Sequence, residues 1–250
     1  MLNIVIPMAG AGSRFFNSGY SLPKPLIPVG NHTMIQVVIN NLRPKANHRF
    51  IFICQAEHIR AHNLSQRLSE WAPASIVLGV DGLTDGAAST VLAARSFINT
   101  QDPLMIANSD QWINADIDKY LESMIRLRLD GYIMTMNACD LKWSFVQLDK
   151  AGLVERVVEK EAVSDIATVG IYNFRSGSDF VTAAERMIVK DVRVNGEFYV
   201  APVYNELIAA GFKVGAYNVG AVGIGMYGLG TPEDLKAFIE SPEFINSQGN

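Results

Sequence analysis

The sequence predicts an α/β fold built on a largely parallel sheet. Three observations predict it. Short apolar runs alternate with longer amphipathic stretches over the first 107 residues, the first run feeds a glycine-rich loop, and the chemically interesting residues follow the apolar runs directly. Strands alternating with helices imply crossover units and parallel pairing. Ligands on such sheets bind beyond the carboxyl ends of the strands.

The opening run, Leu2-Asn-Ile-Val-Ile-Pro-Met8, is long enough for one buried strand. It leads into Ala9-Gly10-Ala11-Gly12-Ser13-Arg14-Phe15, and then Pro23-Lys24-Pro25-Leu26-Ile27-Pro28. Glycine permits close backbone approach and positive φ, so this loop can gather several N–H groups around a phosphate. Arg14 and Lys24 add the charge that glycine cannot. A dinucleotide fingerprint would need glycine where Phe15 stands and a helix straight after the loop, which Asn17, Ser18, Gly19 and Pro23 oppose. No Walker G-x-x-x-x-G-K-[ST] occurs.

The remaining elements follow in order. A helix is expected over 34–42, a buried strand over 50–54, a polar helix over 57–71, a strand over 75–79, a helix over 88–98 and a strand over 104–107. Beyond these, a helix is expected over 117–129 and strands over 131–138 and 144–148. A turn at 149–152 makes a hairpin with a strand over 153–158, and a further strand covers 167–174. A helix over 203–210 and a strand over 214–219 follow, and Thr231-Pro232-Glu233 starts a last helix with an N-cap threonine and proline at N1.

Composition narrows the function. The 250 residues, 49% hydrophobic and 18% charged, suit one large α/β domain, and a net charge of −4 offers no general basic surface to nucleic acid. No run of about twenty apolar residues spans a membrane. With no basic segment before its short apolar opening, the chain is expected to be cytoplasmic. Cys54 and Cys139 both fall in apolar, strand-like sequence, so two buried thiols are expected and no disulfide.

Gly10-x-Gly12-x-Arg14 followed by Pro23-Lys24-Pro25 resembles the signature of the sugar-1-phosphate nucleotidylyltransferases, also called nucleoside-diphosphate-sugar pyrophosphorylases. Pro7-Met8-Ala9 replaces the family's more usual Leu-Ala-Gly, which marks a divergent, compact branch. The resemblance implies a Rossmann-like three-layer sandwich with a mostly parallel mixed sheet, of the nucleotide-diphospho-sugar transferase type. It implies a single domain over 1–250, with a nucleotide half at 1–112 and an acceptor half at 113–250. The implied partners are a nucleoside triphosphate and a phosphorylated acceptor, with Mg²⁺ as cofactor, and homo-oligomers are common among such proteins.

Site residues follow from the same resemblance. Ala9, Gly10, Ala11, Gly12 and Ser13 would wrap the triphosphate, with Arg14 on the leaving pyrophosphate and Lys24 on the α-phosphate. Asp85, Gly86 and Ala87 look like the turn that reads the base; alternatively, Asp85 or Ser89 caps the helix that follows. Asp110, in Asn108-Ser109-Asp110-Gln111 at a strand end, matches the metal-binding aspartate. Its alternative is a cap for the helix near Asp116. Ser144, Glu159, Lys160 and Gly170 would form the acceptor pocket. By charge alone, Glu159 and Lys160 would pass for part of a solvated run.

Two positions depart from the pattern. Ser144 replaces a glycine that lets a sugar approach the backbone, and Gly228 replaces an aspartate that supplies a second metal carboxylate in many members. These changes keep two other readings open: a cytidylyltransferase for phosphocholine or a phosphorylated amide, and a nucleotide-sugar-binding regulator without catalysis. Asn195-Gly196-Glu197 resembles a segment at the family's sugar pocket or subunit contact. Surface polysaccharide biosynthesis is the setting that family habit suggests.

Overall fold

The structure is a computed structural model that describes residues 1–247. β1 (Leu2–Met8) runs into the glycine loop and one helical turn, α1 (Ser13–Asn17). A 3₁₀ turn at Lys24–Leu26 and a small clip, β2 (Pro28–Val29) with β3 (His32–Thr33), lead to α2 (Met34–Leu42). Then come β4 (His48–Gln55), α3 (Ala56–His62), α4 (Leu64–Trp71), β5 (Ile76–Val80), α5 (Ala87–Leu92), α6 (Arg95–Ile98) and β6 (Leu104–Ala107). The chain continues through β7 (Gln111–Ile113), α7 (Ile117–Arg126), β8 (Gly131–Asn137), β9 (Ser144–Leu148), β10 (Val154–Glu159) and β11 (Ile166–Phe174). It ends with α8 (Gly177–Val189), α9 (Val203–Ala209), β12 (Val214–Ala221), β13 (Met226–Gly228), α10 (Pro232–Ile239) and α11 (Pro242–Ser247).

The central sheet is mixed and runs β12-β8-β11-β6-β1-β4-β5, with the β9–β10 hairpin pairing at the start of β11. β6, β1, β4 and β5 are parallel, so the carboxyl ends of β1, β4 and β6 open onto one edge. β11 is antiparallel to both β6 and β8, which brings its start back to that edge. Successive side chains on a strand point to opposite faces, and the sheet separates two cores accordingly. Ile4, Ile6, Phe50 and Phe52 pack under α2, α4, α7 and α10; Val5, Ile51, Ile53 and Ile106 pack under α5, α8 and α9. Burial on both faces explains why these strands are near-continuous apolar runs.

Helix starts carry local signals. Thr33 and Gln36 form a capping box on α2, Asp116 accepts from the N–H groups of Asp118 and Lys119 at α7, and the Thr231 hydroxyl accepts from Asp234 N–H at α10.

Four expectations are corrected. The stretch 57–71 is two helices, broken at Asn63, whose φ of 51° is left-handed. The stretch 88–98 also breaks, because Ala93 and Ala94 close i→i−3 bonds onto Thr90 and Val91, and Ala94 is fully buried. A five-residue helix does follow the glycine loop. Cys139 is exposed, since β8 ends at Asn137, whereas Cys54 is buried and its thiol is pushed up to about 12. The sequence reading offered no helix for 177–189, where α8 buries Phe180, Val181, Ala184 and Met187 at helical spacing.

β7 carries the chain past the site, and Asn41 of α2 holds it. The Asn41 amide donates to Ile113 O and accepts from Ile113 N–H, both at 2.8 Å. Leaving both backbone groups without partners costs about 2 kcal/mol. Asn41→Ala should lower the unfolding free energy by about that amount in a urea titration.

Candidate active site

The site lies where β1, β4 and β6 end. At the end of β1 the chain leaves the sheet through Ala9 and Gly10, whose carbonyls accept from Gln55 Nε2 at 2.9 and 3.3 Å. Gln55 is the last residue of β4, so the loop is tethered to the neighbouring strand. Gly12 takes a left-handed φ of 63° and caps α1, its carbonyl accepting from the N–H groups of Phe15 and Phe16. A Cβ there would meet Lys24 Cβ at 3.5 Å, so the glycine loop and the Pro-Lys-Pro turn lie against each other.

Lys24 and Asp110 meet. The Lys24 ammonium donates to Asp110 Oδ2 at 2.7 Å, with both side chains mostly shielded from solvent. Asp110 follows β6, and its backbone carbonyl accepts from Leu229 N–H at 2.7 Å. A Cβ on Gly230 would stand 2.7 Å from Asp110 Oδ2, so that glycine is required for the carboxylate to keep its place. Helix capping at α7 falls to Asp116, not Asp110.

Two adjoining cavities meet at this pair. One, of about 200 Å³, is lined by Gly10, Gly12, Lys24, Asn108 and Asp110 among others. The second, of about 190 Å³, includes Ser144, Glu159, Gly170, Tyr172 and Tyr199. Ala87, Asn108 and Asp110 line both, so the two spaces share one junction.

Three of the four expected acceptor residues, Ser144, Glu159 and Gly170, come together in the second cavity. Ser144 Oγ donates to Glu159 Oε2 across the β9–β10 ladder, where the two residues are register partners. Glu159 is buried, and burial raises its pKa above the ordinary 4.5 against the opposing Ser144 hydrogen bond and Lys160 charge. Lys160 lines neither cavity but has left-handed backbone, φ 57°, and its ammonium donates to Tyr199 OH at 2.7 Å. Gly170, φ 79°, sits where the register of β11 shifts, and a Cβ there would overlap the Asn108 and Gln111 side chains.

Arg14 and Ser13 stay outside this grouping, exposed on α1, and Ala11 lies at the exposed tip of the loop. Among the described residues, the Arg14 guanidinium makes no ion pair or side-chain hydrogen bond. Asp85 is exposed and pairs with Arg193 at 3.4 Å, and neither it nor Ser89 caps α5, whose N-cap is Gly86. Gly86, φ 111°, lies against the backbone of Phe198. Gln55, Asn108, Tyr172, Tyr199 and Gly230 went unassigned in the sequence. Asn108 was legible as a strand-end residue beside Asp110, whereas the others depend on cross-chain packing. Gln111 is buried with its Oε1 unpartnered.

The donor set fits one magnesium ion held largely by a nucleotide. Mg²⁺ takes one or two carboxylates and completes its shell with phosphate oxygens and water. Asp110 supplies one carboxylate at the junction, and no cluster of three His, Cys, Asp or Glu able to hold a metal occurs among the described residues. A Cβ on Gly228 would lie 3.5 Å from Asp234 Oδ2, so an acid from α10 flanks Gly228.

Residues 4–195 match the family model described as nucleotidyl transferase. The chain belongs to the nucleotidyl transferase family. It is therefore an α/β nucleotidyltransferase, as the loop and the strand-end aspartate imply. Solved structures share its fold. A nucleoside-diphosphate-sugar pyrophosphorylase from Vibrio cholerae aligns over 95% of this chain and 100% of its own, at 24% identity and a TM-score of 0.79. A UDP-glucose pyrophosphorylase from Acinetobacter baumannii aligns over 100% and 98%, at 16% identity and a TM-score of 0.74. A UDP-glucose pyrophosphorylase in complex with UDP-glucose aligns over 99% of each chain, at 14% identity and a TM-score of 0.75. No curated protein sequence matches the chain. Among the described residues, no helix is long and apolar enough to cross a membrane.

Glu159 gives this site a pH signature. With its pKa raised on folding, the native state binds the proton more tightly than the unfolded chain. The cost of ionising it is absent well below 4.5 and fully present above the raised native value. Glu159→Gln should therefore melt above the parent protein at about pH 7, with the advantage shrinking toward about pH 4. Paired thermal melts at the two pH values check this; an advantage that grows on acidification would contradict it.

Proposed function

We propose that the protein joins a nucleoside triphosphate to a phosphorylated acceptor, most naturally a sugar 1-phosphate, releasing pyrophosphate and a nucleoside-diphosphate sugar. The observation that carries this reading is the junction itself: the Lys24–Asp110 pair stands where the cavity of the glycine loop meets the cavity of Ser144 and Glu159. A phosphate oxygen of the acceptor attacks the α-phosphorus, the bond to the β-phosphate oxygen breaks, and the electron pair leaves with pyrophosphate. The nucleophile is already an anion, so no general base is needed, and the protein's work is positioning and charge neutralisation.

In this reading Lys24 turns from Asp110 to the α-phosphate and stabilises charge developing there. Asp110 would hold Mg²⁺, which when bound would neutralise charge on the nucleotide phosphates. Gly10 and Gly12 close around the triphosphate with Arg14 on its outer side. The Asp85–Ala87 turn meets the base, and Lys160 meets the acceptor phosphate. The second cavity favours a hydroxyl-rich acceptor, since Ser144, Thr168, Tyr172 and Gln111 offer neutral hydrogen-bonding groups. A quaternary ammonium such as phosphocholine's is disfavoured. The rings of Trp143 and Tyr199 are already faced by Lys142 and Lys160, at 4.9 and 4.8 Å. Structural neighbours that are nucleoside-diphosphate-sugar and UDP-glucose pyrophosphorylases, one with UDP-glucose bound, support a sugar acceptor.

The test is pyrophosphate release with Mg²⁺, for each of five nucleoside triphosphates against sugar 1-phosphates, phosphocholine and phosphorylated amides. One productive pair is expected among the sugar phosphates. Lys24→Ala or Asp110→Ala should lower that rate at least about 100-fold with circular dichroism unchanged. Silence of the whole grid, or near-parental rates in either variant, would overturn the reading.

A further inference from the structure

The segment between α8 and α9 touches both halves of the site. Phe198 N–H donates to Asp85 O at 2.7 Å, and Phe198 O accepts from Ala88 N–H at 2.9 Å. One residue thus clasps the turn on both sides of Gly86, where a Cβ would lie 2.6 Å from the Phe198 backbone. Arg193 braces the clasp: its guanidinium lies 4.0 Å from the Phe198 ring centroid, and it bonds to Gly196 O and Asp85. The next residue, Tyr199, faces the other way and receives the Lys160 ammonium at its hydroxyl and over its ring.

Lys160 is not placed there by default. It follows the last residue of β10, and its left-handed φ of 57° redirects the chain, with its N–H donating to Trp143 O at 3.0 Å. A left-handed lysine is uncommon and persists only where its surroundings over-determine it. The partners that fix it are Trp143 at the backbone and Tyr199 at the tip.

We propose that Tyr199 is the positioning partner of Lys160, that the two form one clamp for the acceptor's phosphate, and that Phe198 holds this clamp in register with the nucleotide turn. The phenol oxygen accepts from the ammonium, which leaves its own O–H free to donate to a phosphate oxygen. Two N–H groups of the Lys160 ammonium also have no hydrogen-bond partner among the described residues. The clamp therefore offers three donors, one hydroxyl and two ammonium, to a single phosphate. Because Phe198 and Tyr199 are adjacent, displacement of the nucleotide turn is carried to the clamp through one peptide unit. This assignment rests on the nucleotidyl-transfer reading for the identity of the phosphorylated ligand.

The test uses inorganic phosphate as probe, titrated calorimetrically into the folded protein. The four proteins are the parent, Lys160→Ala, Tyr199→Phe and the double variant, each confirmed as folded by thermal melting. The heat that Lys160→Ala removes is the acceptor-site component. Tyr199→Phe should weaken that component about tenfold, as expected for loss of a charge-assisted hydrogen bond. It should add less than about a twofold effect when Lys160 is already alanine, because the two act as a unit. A Tyr199→Phe affinity within about twofold of the parent overturns the clamp. So does a tenfold penalty that persists without Lys160, or a parent protein with no Lys160-dependent phosphate binding. Pyrophosphate release is read separately. An intact clamp with no transfer to any acceptor would reject the transfer reading and leave the clamp standing.

Discussion

The 2.7 Å contact between the Lys24 ammonium and the Asp110 carboxylate ties together three stretches that are distant in sequence. Lys24 belongs to the turn that packs on the glycine loop, Asp110 to the end of β6, and Asp110 in turn is flanked by Leu229 and Gly230. A pair this shielded gains more from its Coulomb attraction than a surface ion pair, and each member suppresses the cost of leaving the other charged and alone. In the proposed reaction the same charges are redistributed rather than created, lysine toward phosphate and aspartate toward metal. Both charges are held at the junction by their pairing, and in the proposed reaction each exchanges that partner for a ligand.

The sheet topology makes that contact available. Parallel pairing of β6, β1 and β4 puts their carboxyl ends side by side, and the antiparallel β11 delivers Gly170 to the same edge. Asn108 N–H donates to Gly170 O at 2.9 Å, a direct bond between the segment after β6 and the bulge of β11. Gly170 can occupy this point because it lacks the side chain that would strike Asn108 and Gln111. The turn after β5 is joined through Phe198 to the segment that carries Tyr199. The Asn108–Gly170 and Phe198 links are backbone to backbone, and side chains such as Gln55 and the Lys24–Asp110 pair complete the cavities.

Much of this was legible in the sequence for a physical reason. A strand buried on both faces reads as an apolar run, and a phosphate loop reads as glycines beside cations; both are local. Lys24 and Asp110 stand at element ends where a local reading singles them out, whereas Glu159 and Lys160 read locally as a solvated charge run and were singled out only by the family resemblance. What escaped is non-local. Gln55 tethering Ala9 and Tyr199 receiving Lys160 depend on contacts across 46 and 39 positions, and Asp234 flanking Gly228 is hidden by the turn between β13 and α10. The breaks at Asn63 and Ala94 were missed because neither residue is a strong helix breaker and packing decides there. α8 is the opposite case: its apolar spacing at 180, 184 and 187 is a local signal present in the sequence.

The account's central claim is that Asp110 is the metal ligand at the junction, held ready by Lys24. The most direct test is calorimetric titration of the productive nucleoside triphosphate, with and without Mg²⁺, into the parent protein and into Asp110→Asn. The account predicts that Mg²⁺ tightens nucleotide binding to the parent about tenfold or more and that Asp110→Asn, still folded, loses this dependence. An Asp110→Asn protein whose nucleotide affinity still rises with Mg²⁺ as the parent's does would contradict it.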